Sequence, residues 1–381
     1  MAPNVKRPQS TGRRVEAGLP RNNLDNLTLA HKEGWREVVK ATRRTQPERL
    51  TCSQIQALSP SARDTYNQRR IDWHVNMGPL KTPQLAALHE DLWNIVNCAV
   101  QDGDKAKGAI ALSGYPGVGK STAVEAFGVG FHRREIDRYG EFTRAGDERW
   151  PVCRVGMRGN TTMKDFNRAL CDFYAHPGAG RGTTTELAGH ALDCVLSCET
   201  RLLIIDDLHF LHWQQHGGIE ISNHFKYIAN EFPLTILSIG IGLDERGLLM
   251  DGMSYDDAVL AQTTRRTTML EMRPFPIDTE RERRHWRQLL MTIEQRLLLA
   301  RPQHGILADK LSDYLYERST GYIGSLMTLI ARGCEKAIST GTERLTEELL
   351  QKVKIDSAAE RARHELSAAF RTRRLTTRPL R

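Results

Sequence analysis

The run Gly114-Tyr115-Pro116-Gly117-Val118-Gly119-Lys120-Ser121 constrains this chain more than any other stretch of it. It fits the spacing G-x-x-x-x-G-K-[ST] and stands directly after the apolar run Ala109-Ile110-Ala111-Leu112-Ser113. A segment that reads as a helix, Thr122 to Phe131, follows it. Strand, glycine loop and helix in that order make a phosphate cradle. The glycines let backbone N–H groups turn inward around a β-phosphate, Lys120 reaches the β/γ oxygens, and Ser121 offers a hydroxyl to Mg2+. Gly114 through Ser121, with Thr122 behind them, are the expected nucleotide contacts, and ATP with Mg2+ is the expected ligand.

Periodicity around this loop predicts the rest of the fold. Leu202-Leu203-Ile204-Ile205-Asp206-Asp207 and Leu234-Thr235-Ile236-Leu237-Ser238-Ile239 are almost unbroken apolar runs. Pro151 to Val155 is a shorter one, and Thr267 to Met272 closes the series. Alternating with helical patterns, they predict an α/β fold: a parallel five-stranded sheet between helices. Helix starts carry their own chemistry. Thr82 caps a helix opened by Pro83, with Leu85, Leu88, Leu92 and Ile95 on one face. Thr162 opens a helix whose apolar face holds Met163, Phe166 and Leu170. Gly178 to Gly182 break the chain before Thr183 and Glu186, a capping box, start the next, with Leu187, Ala191, Cys194, Val195 and Cys198 inward. Beyond Pro274 only helices are expected. Thr279 and Glu282 cap the first, Trp286, Leu289, Leu290, Ile293 and Leu297 form its face, and others follow over 306–318, 323–339 and 346–355. The expected division is a basic mobile arm over 1–24, a partly helical extension over 25–80 containing Trp35 and Trp73, a nucleotide-binding core over 81–275, a helical lid over 276–355 and a basic tail over 356–381, unstructured from Arg361.

Charge is distributed unevenly. Of a net +8, residues 1–50 hold 11 Lys/Arg against 5 Asp/Glu and residues 356–381 hold 7 against 3, so the body between them is nearly neutral. Basic ends of this kind suit nucleic acid or an acidic partner. No stretch approaches 18 apolar residues, and the first thirty residues are basic and polar, which predicts neither a membrane span nor a secretory signal. Seven cysteines without a C-x-x-C pair predict reduced thiols in a cytoplasm.

Asp206, at the tip of an apolar strand, suits the Walker B role of holding Mg2+ through water, and Asp207 is placed to orient or deprotonate the attacking water. Asp207 is one methylene shorter than the glutamate usual in hydrolytic ATPases. It is either a base with altered reach or the mark of a slow switch, and slow hydrolysis is the expectation. Arg265 and Arg266, just before the last strand, can point at the γ-phosphate of a neighbouring subunit. Ser238 is the nearest polar group to a sensor position on the fourth strand. His209, His212, His216 and Glu220 lie beside Gly217-Gly218, which breaks the continuous helix a metal site at that spacing needs, so they read as loop residues. Cys194 and Cys198 read as core. Arg154, Arg158, Lys164 and Arg181, with Thr183 as a hydroxyl donor, are the candidate DNA contacts, expected along one rim of a ring. Each phosphate contact there would add about 0.9 to the salt slope.

The phosphate loop, "LLIIDDLHFL", the arginines before the last strand and "STGYIGSLMTLIARGCEKAI" together resemble the AAA+ ATPases of the TniB/TnsC type, with MuB a more distant relative. "PVCRVGMRGNTTMKDF" and "GRGTTTELAGHAL" are similar to that family's stretches between the two Walker motifs. The resemblance spans residues 65–355, and its specificity rests on the lid signature Thr320-Gly321-Tyr322-Ile323-Gly324 and the intervening segments. It implies ATP-dependent oligomers, often filaments, on double-stranded DNA. It also implies stimulation of a DDE transposase, target information from a TniQ-type protein, DNA contacts at Lys164 and Thr183 with Arg158 nearby, and a basic tail directed toward the transposase. Three departures bear on hydrolysis: Asp207 for glutamate, Ser325 where relatives carry a lid arginine, and Ser238 where they often carry a later threonine. A nucleotide-gated scaffold of the STAND or origin-recognition type is the alternative. The 26 residues after 355 leave no room for a sensor repeat or a winged helix. A small-molecule kinase leaves the lid and the basic ends without purpose.

Overall fold

In the computed structural model, residues 24, 26–99, 107–159, 161–208, 224, 227–228, 230–243, 267–372 and 374–379 are described. The predicted strands form β1 (Ala109–Ser113), β2 (Val152–Gly156), β3 (Leu202–Asp206), β4 (Thr235–Gly240) and β5 (Thr267–Glu271), the last of them partly exposed at the sheet edge instead of buried. All neighbours pair in parallel, in the order β5-β1-β4-β3-β2. Every residue of β3 and β4 is buried, which is why their sequence does not alternate. β4 lies between β1 and β3, so the chain ends leaving β1 and β3 meet at one edge of the sheet.

The helices of the first half are α1 (Lys32–Lys40), α2 (Cys52–Ala57), α3 (Pro60–Val75), α4 (Pro83–Cys98), α5 (Lys120–Tyr139), α6 (Met163–Phe173) and α7 (Thr184–Ser197). After β5 come α8 (Glu280–Glu294), α9 (Ser312–Ser319), α10 (Ile323–Ser339), α11 (Glu347–Gln351) and α12 (Ser357–Arg371). The capping residues are the expected ones. Thr82 accepts from the Leu85 N–H, and Thr183 with Glu186 and Thr279 with Glu282 form reciprocal boxes. Thr162 does the same with Asp165. α5 continues past Phe131 to Tyr139 and ends where Gly140 takes a positive φ of 82°. A helix expected from 306 begins instead as a π-helical turn, Ile306–Lys310.

Two apolar cores organise these elements, and residues 25–80 are divided between them. Trp35 of α1 is wholly buried in the sheet core, against α5 and β3. Ile71, Met77 and Leu80 belong to the lid core with Trp286, Leu315 and Ile330. α3 is tied there by a buried ion pair: Arg70 Nη1 donates to Glu343 Oε2 at 2.7 Å and Nη2 to Oε1 at 2.9 Å. The tail expected to be unstructured is α12. Asp356 caps it, Arg318 of α9 meets Glu360 at 2.5 Å, and Arg363 meets Glu317 at 2.9 Å. Thr377 beyond it is fully buried and donates to Asp313. The buried residues of α12 are Ala359 and Ser367 rather than leucines. Among the described residues no helix is long and apolar enough to cross a membrane, and all seven cysteines are free thiols.

Two buried histidines hold the N-terminal segments. Trp35 Nε1 donates to His132 Nδ1 at 3.1 Å, and the Leu298 N–H donates to His74 Nε2 at 2.9 Å. Each accepting nitrogen must be unprotonated, and burial first, then a neighbouring arginine, lowers both pKa values from 6.5 to about 4. Between pH 6.5 and about 4 the unfolded chain therefore binds protons that the folded chain refuses. This contribution to stability is complete above pH 6.5 and is lost as pH falls through that window. The urea midpoint of the full chain is expected to fall over it, and a His74→Gln/His132→Gln variant to fall less steeply. Equal slopes would remove the histidines from the acid response.

Candidate active site

The chain leaving β1 meets steric limits at once. A Cβ on Gly114 would lie 2.3 Å from the Met272 carbonyl oxygen, the residue after β5, so only glycine passes. Gly117 and Gly119 adopt left-handed φ values of 83° and 94°, and Gly119 delivers the chain into α5, whose N-terminus faces the loop. Lys120 Nζ donates to the Gly114 carbonyl at 2.6 Å and the Tyr115 carbonyl at 2.9 Å. Burial lowers the Lys120 pKa, against the pull of Asp206 and Asp207. A desolvated cation bonded to neutral carbonyls at the N-terminus of α5 suits a polyphosphate.

The loop forms one wall of a cleft of about 470 Å³, large enough for a nucleotide. Pro116 to Thr122 and Asp207 line its polar side. Its apolar side comes from three places: Leu80 and Leu85 from before and within α4, Met272 and Phe275 after β5, and Ile323 and Met327 of α10. Leu80 belongs to a segment whose sequence carried no sign of the site. The lid signature touches the loop itself. The Gly324 N–H donates to the Gly117 carbonyl at 2.9 Å, and a Cβ on Gly324 would sit 3.0 Å from that oxygen. A Cβ on Gly119 would meet Ile323 at 3.3 Å.

At the end of β3, Ser121 Oγ donates to Asp206 Oδ1 at 3.3 Å. A hydroxyl beside a carboxylate is a donor set of hard oxygens, so Ser121 and Asp206 would hold Mg2+, which supplies charge neutralisation on phosphate oxygens. The other Asp206 oxygen accepts from Arg154 at 2.7 Å, so Arg154 belongs to this site and not to the DNA rim proposed for it from sequence. An arginine in mid-strand was the available signal. Glu125, one turn into α5, joins the cluster: burial raises its pKa, Arg154 lowers it and Asp206 raises it. Sequence reasoning missed it, although it stands at i+4 from Ser121 on the same helix. Asp207 follows with φ 59°, a left-handed value that aspartate tolerates, and its carboxylate is exposed on the cleft.

The sensor candidate sits elsewhere, and so does the residue at the lid-arginine position. Ser238 lies inside β4, level with Ala111 and Ile205, and it is Ile241 beyond the strand that lines the cleft. Ser325 spends its hydroxyl on Asp356, the α12 cap, at 2.6 Å. Arg265 and Arg266 lie outside the described residues, as do His209, His212, His216 and Glu220. Among the described residues no three His, Cys, Asp or Glu side chains gather as a metal site, and burial pushes the Cys194 and Cys198 thiols up to about 11.

The four remaining DNA candidates come together. Asn167 of α6 donates to the Thr184 carbonyl at 2.9 Å and Cys171 to the Leu187 carbonyl at 3.4 Å, so α6 and α7 advance in parallel and begin at one edge. Lys164 is in the first turn of α6 and Thr183 caps α7. Arg181 lies two residues before that cap, and Arg158 joins the α6 start through its N–H to Thr161 Oγ1 at 2.9 Å. All four are exposed. Asp165 and Glu186 sit among them, but both carboxylates are engaged with the capping threonines, whose hydrogen bonds lower their pKa values.

Comparison with known proteins accords with this geometry. Residues 102–247 match the family described as AAA domain. The Aeropyrum pernix ORC1 protein, solved in complex with DNA, is similar over 80% of this chain and 72% of its own, at 16% identity and a TM-score of 0.51. The Drosophila ORC structure bound to DNA is similar over 82% and 69%, at 14% identity and a TM-score of 0.52. No curated protein sequence matches the chain. At these identities the likeness is one of fold: an AAA+ P-loop fold with a helical C-terminal region. The AAA domain indicates an ATPase.

Asp207→Asn keeps the shape and the tolerance for a left-handed φ. It is expected to leave the urea midpoint and nucleotide affinity unchanged and to lower kcat by about 100-fold or more; unchanged turnover would exclude Asp207 as the base. Arg154→Ala frees one oxygen of Asp206 and is expected to lower the Mg2+ concentration at half-maximal ATPase activity. A higher requirement would mean that Arg154 assists the metal site instead of competing for it.

Proposed function

We propose that this chain is a DNA-assembled ATP switch that regulates transposition. The observation that carries the reading is the shared edge where α6 and α7 begin. Two helix N-termini there present N–H dipoles with Arg158, Lys164, Arg181 and Thr183 beside them, which is a chemistry for duplex phosphates and not for bases. Little sequence specificity is expected. The protein would bind ATP with Mg2+ in the cleft and polymerise on double-stranded DNA as a ring or helical filament, with Arg265 or Arg266 reaching a neighbour's γ-phosphate. Hydrolysis, slow with Asp207 in the base position, would disassemble it. A DDE transposase and a TniQ-type target selector are its proposed partners.

The bond between Gly324 and Gly117 supports the switch, because whatever rearranges the loop around phosphates must also be felt by α10. One further observation favours a second reading, a nucleotide-gated scaffold of origin-recognition type: the fold is shared with origin-recognition proteins solved on DNA.

Electron microscopy of the full chain with plasmid DNA separates the two. Filaments or closed rings coating DNA with ATP or a non-hydrolysable analogue, and bare DNA with ADP, are expected. Particles that remain monomeric in every nucleotide state would favour the scaffold. Lys120→Ala is expected to abolish ATP-dependent assembly. Lys164→Ala is expected to weaken binding evenly across DNA sequences and to lower the salt slope by about one; an unchanged slope would remove Lys164 from the DNA surface.

A further inference from the structure

Away from the nucleotide cleft, the lid contains a second concavity, of about 510 Å³, that shares no lining residue with it. Its floor is apolar: Leu297, Leu299 and Leu345 are buried there, and the half-exposed Met291 stands at its rim. Its walls are cationic. Arg49 comes from the segment before α2, Arg287 from α8, and Arg301 and Arg344 from the loops on either side of the lid helices.

The positive charge is only half neutralised from within, four arginines standing against Glu294 and Asp309. Glu294 lines the pocket, but its two oxygens accept the Gly305 N–H at 2.6 Å and the Leu307 N–H at 2.9 Å and so hold the π-helical turn in place. Asp309 accepts from Arg287 at 2.7 Å. Arg49 donates only to the neutral Leu297 carbonyl at 2.8 Å. Among the described residues, Arg301 and Arg344 make no side-chain hydrogen bond or ion pair, although Arg344 adds, after a backbone N–H and Thr346, to what holds the Glu348 carboxyl low. An irregular π-helical turn, Ile306–Lys310, forms one wall, and such turns are frequent at functional sites.

We propose that this lid pocket docks an acidic segment of a partner protein, with an apolar side chain on the leucine floor and flanking carboxylates on Arg301 and Arg344. A guanidinium fork matches a carboxylate in two-point geometry, and the leucines supply what a charge alone does not, a place for buried hydrocarbon. The phosphate backbone of a duplex has no apolar group to fill such a floor. The chain's own ends are basic and would be repelled.

Fluorescence anisotropy on the full chain tests this with three labelled probes: a short peptide alternating leucine and glutamate, the same peptide with lysine for glutamate, and a DNA duplex. The acidic peptide is expected to bind, to weaken as salt screens the arginines, and to lose about tenfold in affinity with Arg301→Ala/Arg344→Ala. Both residues are exposed, so that variant is expected to keep wild-type affinity for ATP and for the duplex. Arg301→Glu/Arg344→Glu is expected to shift preference to the lysine peptide. Equal binding of the two peptides by the wild type, or no loss in the alanine variant, overturns the proposal. A proportionate loss of duplex binding in the alanine variant also overturns it, and assigns the pocket to nucleic acid.

Discussion

The phosphate loop is pinned from two sides, and the rest of the molecule is arranged around that constraint. On one side the Met272 carbonyl leaves no room for a Cβ at Gly114; on the other the Gly324 N–H bonds the Gly117 carbonyl at close range. The first contact ties the loop to β5, the edge strand, and the second ties it to α10 in the lid. Lys120 then has a fixed place for its charge, folded onto the carbonyls of its own loop. A ligand that draws those groups toward phosphate acts at once on the sheet edge and on the lid. That is the physical requirement for a nucleotide to control shape.

The N-terminal segments bridge the two cores. Trp35 fills the sheet core and Arg70 is buried against Glu343 in the lid, so one stretch of chain is anchored in both bodies. The two anchors differ in kind. Trp35 contributes apolar area and a single hydrogen bond to a neutral histidine. The Arg70–Glu343 pair must offset its own desolvation, and both partners do so with further bonds: Arg70 to Asn67 and the Leu298 carbonyl, Glu343 to the Ala300 N–H. Such a pair contributes little net stability, but a docking of α3 that left either charge buried without its partner would be strongly unfavourable. Leu80, between the anchors and α4, is thereby held at the nucleotide cleft.

Much of the fold was legible along the chain because its signals are local. Thr82, Thr162, Thr183 and Thr279 each cap the helix they precede, since a hydroxyl three residues before a free N–H needs no distant partner. β3 and β4 read as continuous apolar runs because both faces are covered. Legibility failed where a side chain's role depends on what lies across from it. Arg154 read as a surface cation and pairs with Asp206. Ser325 read only as a departure, a serine where relatives carry a lid arginine, and its hydroxyl is bonded to Asp356. The tail read as unstructured because it is basic, whereas its Arg363 and Glu360 pair across to Glu317 and Arg318 of α9.

The sequence by itself determined the phosphate loop, the acid pair at the tip of β3 and the starts of the helices. Those depend on backbone φ freedom, hydrogen-bond reach and periodicity over a few residues, which are properties of short segments. Tertiary structure alone decided that α6 and α7 begin at one edge and gather Arg158, Lys164, Arg181 and Thr183. It also decided that the lid glycine touches the loop, and that arginines from residues 49, 287, 301 and 344 surround a leucine floor. Each of those juxtapositions joins residues far apart in the chain, and only the packing of two cores against a shared N-terminal strap brings them within reach.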